Sequence, residues 1–209
     1  MKNKPSQWLC ALVVFLPFAA GAVPMTFSDC VAGNPPAEQT LAACAGSTSN
    51  LYLSSRGATT LSYTHDLTDD GFLTTDTILS AALTIDFNDD GDVQNESVNI
   101  YIDFNGNGSF ADGGEQVASN FDPAAGNFSC TGNCSALLAN ALADGITAIR
   151  LSVGAVGGVT ADFYFSDSLL TVDVDRTAAV QRLPEPGTLA LLGGILFGIG
   201  ITAHRHTAR

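Results

Sequence analysis

The sequence has little of what most catalysts and nucleic-acid binders rely on. Its single tryptophan is Trp8, near the start, and of its three histidines only His65 lies between residues 23 and 182. It has no G-x-S-x-G, H-E-x-x-H or Walker-type loop, so the usual nucleophile elbow, zinc-protease helix and phosphate cradle are missing. Basic residues are scarce: 8 Lys and Arg stand against 21 Asp and Glu, a formal charge of −13. Between residues 23 and 182 the imbalance is sharper, with 20 acidic side chains and only Arg56, Arg150, Arg176 and Arg182 to offset them. Nucleic acid and anionic membrane surfaces both require Lys and Arg clusters, and this composition excludes them as partners. A glycosidase needs two carboxylates in an aromatic-lined cleft. Here the aromatic supply in the body reduces to phenylalanine and the tyrosines 52, 63, 101 and 164. These absences predict a protein that is not an enzyme.

Long apolar runs are confined to the two ends. Lys2 and Lys4 precede an apolar stretch from Trp8 to Ala20, and Ala20-Gly21-Ala22 supplies the small residues of a signal-peptidase site. Residues 1–22 therefore read as a signal peptide, too short in its apolar part to span a bilayer. At the other end, residues 187–203 carry no charge and reach the lower length limit of a membrane helix. Pro184 and Pro186 stop that helix upstream, and His204, Arg205, His206 and Arg209 form a basic tail at 204–209 that stays cytoplasmic by the positive-inside rule. The expectation is an exported domain at 23–176, a linker at 177–186 and one C-terminal transmembrane helix.

Removal of the leader takes Cys10 and leaves Cys30, Cys44, Cys130 and Cys134. An even number in an exported chain reads as two disulfides. Three pairings are open, and proximity favours Cys30–Cys44 and Cys130–Cys134.

The body alternates with period two. Leu79, Ala81, Leu83, Ile85 and Phe87 fall on one face, as do Val98, Ile100, Ile102 and Phe104, and Leu170, Val172 and Val174. Such alternation, punctuated by Gly- and Asp-rich turns, predicts an all-β antiparallel β-sandwich. Tyr101 then faces away from the core. Residues 134–145 are predicted as a short helix capped by Ser135 and stopped by Gly145. Residues 23–50 read as a loop or short strands tied by Cys30 and Cys44.

Two six-residue stretches stand out. "DFNDDG" at 86–91 and "DFNGNG" at 103–108 both match D-x-[DN]-x-[DN]-G, the front half of an oxygen-ligand calcium loop. That spacing turns three side-chain oxygens towards one centre while glycine permits the bend. The first stretch proposes Asp86, Asn88, Asp90, Asp92 and Glu96 as ligands. Neither stretch places its Glu at the EF-hand distance. A further acidic run holds His65, Asp66, Asp69, Asp70 and Asp76, in which His65-Asp66 reads as a turn or a cation ligand rather than a catalytic pair.

Two resemblances follow from these residues. Pro184-Glu185-Pro186, then Thr188-Leu189, then a Gly-rich apolar run and a basic end, resemble the PEP-CTERM sorting signal over about the last 27 residues. The resemblance implies processing by exosortase, export, and display at the cell surface or in an exopolysaccharide matrix. "YIDFNGNGSFADGGEQV" at 101–117 resembles the hallmark segment of the GEVED domain, which implies that Asp103, Asn105, Asn107, Asp112 and Glu115 hold calcium. Asn107 departs from the commoner Asp and lowers the ligand charge. The function expected is a structural or adhesive surface protein, stabilised by calcium. A secreted glycan-binding module acting on exopolysaccharide is the alternative.

Overall fold

Alternating apolar residues set the strands and decide which face of each is buried. The structure, a computed structural model, describes residues 22–44, 50–88, 96–123, 126–154 and 161–177. Residues 1–21 of the expected signal peptide, the Pro184-Glu185-Pro186 motif and the apolar segment 187–203 lie outside these residues. Among the described residues, no helix is long and apolar enough to cross a membrane.

The strands are β1 (Ala22–Ala32), β2 (Ala37–Gln39), β3 (Leu51–Ser54), β4 (Thr60–Asp66), β5 (Thr77–Asn88), β6 (Val98–Ile102), β7 (Gln116–Phe121), β8 (Phe128–Cys130), β9 (Ile146–Val153) and β10 (Asp162–Thr177). Two short helices, α1 (Leu41–Cys44) and α2 (Asn133–Ala141), and a 3-10 turn at Leu142–Asp144 complete the described elements. Every ladder is antiparallel. One sheet runs β2-β1-β10-β5-β8, with β3 also on β10, and the other runs β4-β9-β6-β7. The spine is β10, which pairs with β1 along Asp167–Thr177 and with β3 along Asp162–Phe165, while β5 takes its other edge.

The inward faces meet in one core. Leu53, Ile85, Phe163, Phe165, Leu170, Val172 and Val174 come from the larger sheet, and Ile100, Ile102, Ile149 and Leu151 from the smaller, all at 0% exposure. Each such side chain stabilises the fold by ~1.5–3 kcal/mol relative to leaving it in water. This is the sandwich-like, all-β arrangement that the alternation predicts. Both disulfides join the cysteines nearest in sequence, Cys30–Cys44 with Cα atoms 6.1 Å apart and Cys130–Cys134 at 5.3 Å.

One open expectation is decided and two need correction. The N-terminal segment takes the strand alternative, and at greater length than expected: β1 is an 11-residue strand inserted between β2 and β10. The ladder to β10 sets its length, with Phe27 and Val31 turned into the core. Leu79 leaves the buried face of β5 and is 57% exposed. A register shift between Asp173 and Val174 puts Val174 opposite Ile78 and Asp173 opposite Ser80, so a bulge at Leu79 flips the alternation. Ser135 is not a cap. Gly132 occupies the N-cap position without a side-chain bond, and the Ser135 hydroxyl donates to the Ala81 carbonyl on β5. Gly145 does end the helical segment, at φ 85°.

Candidate functional site

The loop that closes the β6–β7 hairpin carries all five residues of the stronger cation set. Its base is fixed by backbone bonds: the Ile102 N–H donates to the Glu115 carbonyl at 2.9 Å and the Asp103 N–H to the Ala148 carbonyl at 3.0 Å. Asp103 and Glu115 are thereby held nearly buried, at 4% and 2% exposure. Asp103 organises the loop from within. Its Oδ1 accepts the Gly106 N–H at 2.8 Å and its Oδ2 the Gly108 N–H at 2.7 Å. Both glycines adopt positive φ, 69° and 73°, which lets the backbone wrap around one carboxylate.

The two asparagines continue the wrap. Asn105 Oδ1 accepts the Asn107 N–H at 3.0 Å, and Asn107 Oδ1 accepts the Ser109 N–H at 2.7 Å. Both amide groups donate to Asp112 Oδ2, at 2.9 and 2.7 Å. These bonds, that of Asn105 foremost, hold the Asp112 carboxyl below its usual range. Glu115 Oε2 accepts the Asp112 N–H at 3.2 Å, while its Oε1 is buried without a hydrogen-bond partner. Beside the loop, Arg150 stacks on Tyr101 at 4.3 Å and on Phe110 at 4.7 Å, and donates to the Phe110 carbonyl at 3.4 Å. Tyr101 and the guanidinium thus brace the loop from the sheet face that points away from the core. Among the described residues, no three His, Cys, Asp or Glu side chains converge as a metal cluster. A cation at this loop would draw on amide oxygens as well as on Asp103, Asp112 and Glu115.

The weaker set is spread differently. Asp90 and Asp92 lie outside the described residues. Asp86 and Asn88 stand on β5 with their side chains away from the core, and Glu96 is buried just before β6 in the other sheet. Asp86 has a different neighbour, Asp167, directly opposite it on β10. Burial raises the Asp86 carboxyl, and burial together with the charge of Asp86 pushes Asp167 up to about 6. The pair lines a cleft of about 690 Å³ with Asn127, Ser166 and Leu41. Asn88 donates to Ser166 Oγ at 2.6 Å at its edge.

His65 pairs with neither neighbour in sequence. Its Nδ1 lies 2.9 Å from Asp29 Oδ2 and its Nε2 2.9 Å from Ser168 Oγ. The acid–His–hydroxyl order is that of a catalytic relay. Yet His65 and Ser168 are both 0% exposed, so no substrate reaches the hydroxyl. Asp66 instead caps its own turn, accepting the Thr68 N–H at 2.9 Å. Asp29, Ser168 and Asp167 escape a reading of the sequence because each partner lies tens of residues or more away. The one local signal was an Asp in the inward register of a strand, between Phe27 and Val31.

No protein-family model, no curated protein and no solved structure matches the chain.

Proposed function

We propose that this chain is an exported protein of the cell surface or extracellular matrix, with a structural or adhesive role and with calcium stabilising its Asp103–Glu115 loop. One observation carries the calcium part: a buried glutamate, Glu115, whose Oε1 has no partner, faces a loop already wound around the buried Asp103. A buried carboxylate oxygen left without a donor is costly, and a hard cation relieves that cost. Export is supported by the leader-like residues 1–22, by two disulfides in the described body and by the likeness of residues 183–209 to a PEP-CTERM signal. By that likeness the processing partner is exosortase, and exopolysaccharide is the matrix the protein would meet.

The test is a thermal melt of the oxidised, full-length chain in detergent, in EDTA and in millimolar calcium. A ligand that binds only the folded state at a hundredfold excess over its Kd adds ~2.7 kcal/mol. The melting point should rise with calcium, and Asn107→Asp, which adds a ligand charge, should raise it further. An unchanged melting point in both proteins would end the calcium reading. Cell fractionation tests the address separately: full-length protein in the cytosol would end that part.

A further inference from the structure

The outer face of the larger sheet carries a strip of side chains that neither the core nor the Asp103–Glu115 loop uses. Tyr164 of β10 has Tyr52 of β3 opposite it on one side and Asn88 of β5 on the other. Phe163 and Phe165 point into the core, so the residue between them points out. The two tyrosine rings lean together with centroids 5.1 Å apart, and Tyr52 is 42% exposed. The Tyr52 hydroxyl donates to Asp162 Oδ2, which fixes its ring in place. Asn88 and Ser166 carry the strip into the cleft of about 690 Å³, where Asp86 and Asp167 stand on the sheet between Leu41 of α1 and Asn127.

We infer that this strip and cleft form a binding site for a neutral polysaccharide, with the Tyr52–Tyr164 pair under the faces of the sugar rings and with Asp86, Asp167, Asn88 and Asn127 on their hydroxyls.

The chemistry of this surface selects that ligand. A sugar ring has a face of C–H groups and an edge of hydroxyls, and it needs an apolar and a polar contact side by side. Tyrosine rings supply the first at little cost in rotamer freedom. Carboxylates accept from hydroxyls, and amides both donate and accept. Of the four tyrosines, Tyr63 is buried and Tyr101 lies under the Arg150 guanidinium, which leaves Tyr52 and Tyr164. Exposure points to the same place. Leu41, 51% exposed, lines the cleft, and Tyr52 starts the strip, so the fold leaves apolar surface in water at both. A second cleft, of about 580 Å³ beside Asp29, Glu38 and Asp70, has carboxylates but no aromatic ring, and so lacks half of what a sugar needs. Charge sets the class of glycan. Among the described residues the basic side chains are Arg56, Arg150 and Arg176, and none of them lines the larger cleft. With Asp86 and Asp167 facing it, a uronate or a sulfated sugar would be repelled. The inference deepens the surface or matrix reading above and rests on it only for where the glycan is met.

The test is affinity electrophoresis of the oxidised, full-length chain in neutral detergent, through gels that contain dextran, pullulan or mannan, with alginate as the acidic probe. EDTA is present throughout, so calcium plays no part. Wild type should be retarded by at least one neutral polymer and not by alginate. Tyr52→Ala, at an exposed position, should weaken that retardation by about fivefold, the scale of one lost aromatic contact. Asp167→Asn should weaken it as well. Leu137→Ala, which removes a comparably exposed apolar side chain from α2 (46%), should leave it unchanged. Near-UV circular dichroism confirms that each variant keeps its packing. No retardation by any neutral polymer, retardation by alginate alone, or equal retardation of wild type and Tyr52→Ala would overturn the site. Retardation unchanged in Asp167→Asn alone would overturn the part given to the cleft. A negative result here leaves the calcium melt and the cell fractionation to decide the other readings by themselves.

Discussion

His65 Nδ1 and Asp29 Oδ2, 2.9 Å apart, join the smaller sheet to the larger across their shared interior. His65 belongs to β4, and Asp29 and Ser168 belong to β1 and β10. The contact is a polar tie within an otherwise apolar interface, and it is exposed to no solvent. Removing Asp29 would strand His65 Nδ1 and the Asp66 N–H together, each worth ~1–3 kcal/mol as a buried unpaired group. Asp29→Ala should therefore lower stability by about 3 kcal/mol in urea unfolding. Ser168→Ala breaks a single hydrogen bond and should cost about 1 kcal/mol. A loss of under ~0.5 kcal/mol for Asp29→Ala would mean that the tie contributes nothing.

The Asp86–Asp167 pair gives a pH dependence of defined sign. Asp167 titrates at about 6 in the folded protein, because burial and the Asp86 charge disfavour its anion. Its unfolded value is ~3.9, so between those two limits the native state holds more protons than the unfolded state. Stability then falls as pH rises from about 4 to about 6 and stays lower above it. Asp167→Asn removes the repulsion. After discounting for solvent screening, it should stabilise the protein at pH 7 by about 1 kcal/mol, or ~2–4 °C in melting point. It should also flatten the slope between pH 4 and 6. A slope unchanged in Asp167→Asn would assign the pH dependence to other groups.

What could be read beforehand, and what could not, follows from the range of the interactions. The inward Leu170, Val172 and Val174 and the two short-range disulfides were legible, because period-two alternation and a separation of 4 or 14 residues are local facts. So was the hairpin loop from Asp103 to Glu115, whose Asp103 and Glu115 carboxylates accept hydrogen bonds from residues a few positions away. By contrast, β1 pairs with β10 some 145 residues away, and no local feature of its sequence names that partner. Leu79 was misplaced because a bulge in the β5–β10 ladder adds one residue to the count. The cavities at Asp167 and Asp29 were hidden for the same reason. The first joins β5 to β10, and the second brings the turn after β4 against β1 and β2.

The disulfides should differ in worth. Cys30–Cys44 closes a separation of 14 residues and Cys130–Cys134 one of 4. On loop-closure entropy the first restrains the unfolded chain by about 3 kcal/mol and the second by about 2 kcal/mol. Cys30 and Cys44 are buried beside Ala32, in a small cluster apart from the main core. Replacing both with Ala should therefore cost at least as much as the entropy alone. The paired substitutions Cys30→Ala/Cys44→Ala and Cys130→Ala/Cys134→Ala, compared by denaturant unfolding, test the ranking. A larger loss from the 130–134 pair would reverse it.

Gly145 combines a left-handed backbone with little room for a side chain. It ends the helical segment at φ 85° and passes its N–H to the Leu142 carbonyl at 2.9 Å. Its own carbonyl accepts the Leu67 N–H at 2.9 Å, which ties the turn after β4 to the start of β9. A Cβ there would lie 2.7 Å from Phe72 Cδ1 and 2.9 Å from Thr68 Cγ2. Phe72 cannot easily yield, since it is 3% exposed and packs edge-on against Phe27 with ring centroids 6.0 Å apart. Gly145→Ala combines left-handed strain of ~1–2 kcal/mol with an overpacking cost of ~1–3 kcal/mol. The expected loss is about 3 kcal/mol, accompanied by a changed near-UV signal as the Phe27–Phe72 contact shifts. The exposed Gly113, whose added Cβ meets nothing within 4 Å, is the control. Gly113→Ala should leave stability within ~0.5 kcal/mol of wild type. Equal effects at the two positions would show that the contact with Phe72 does not constrain the turn.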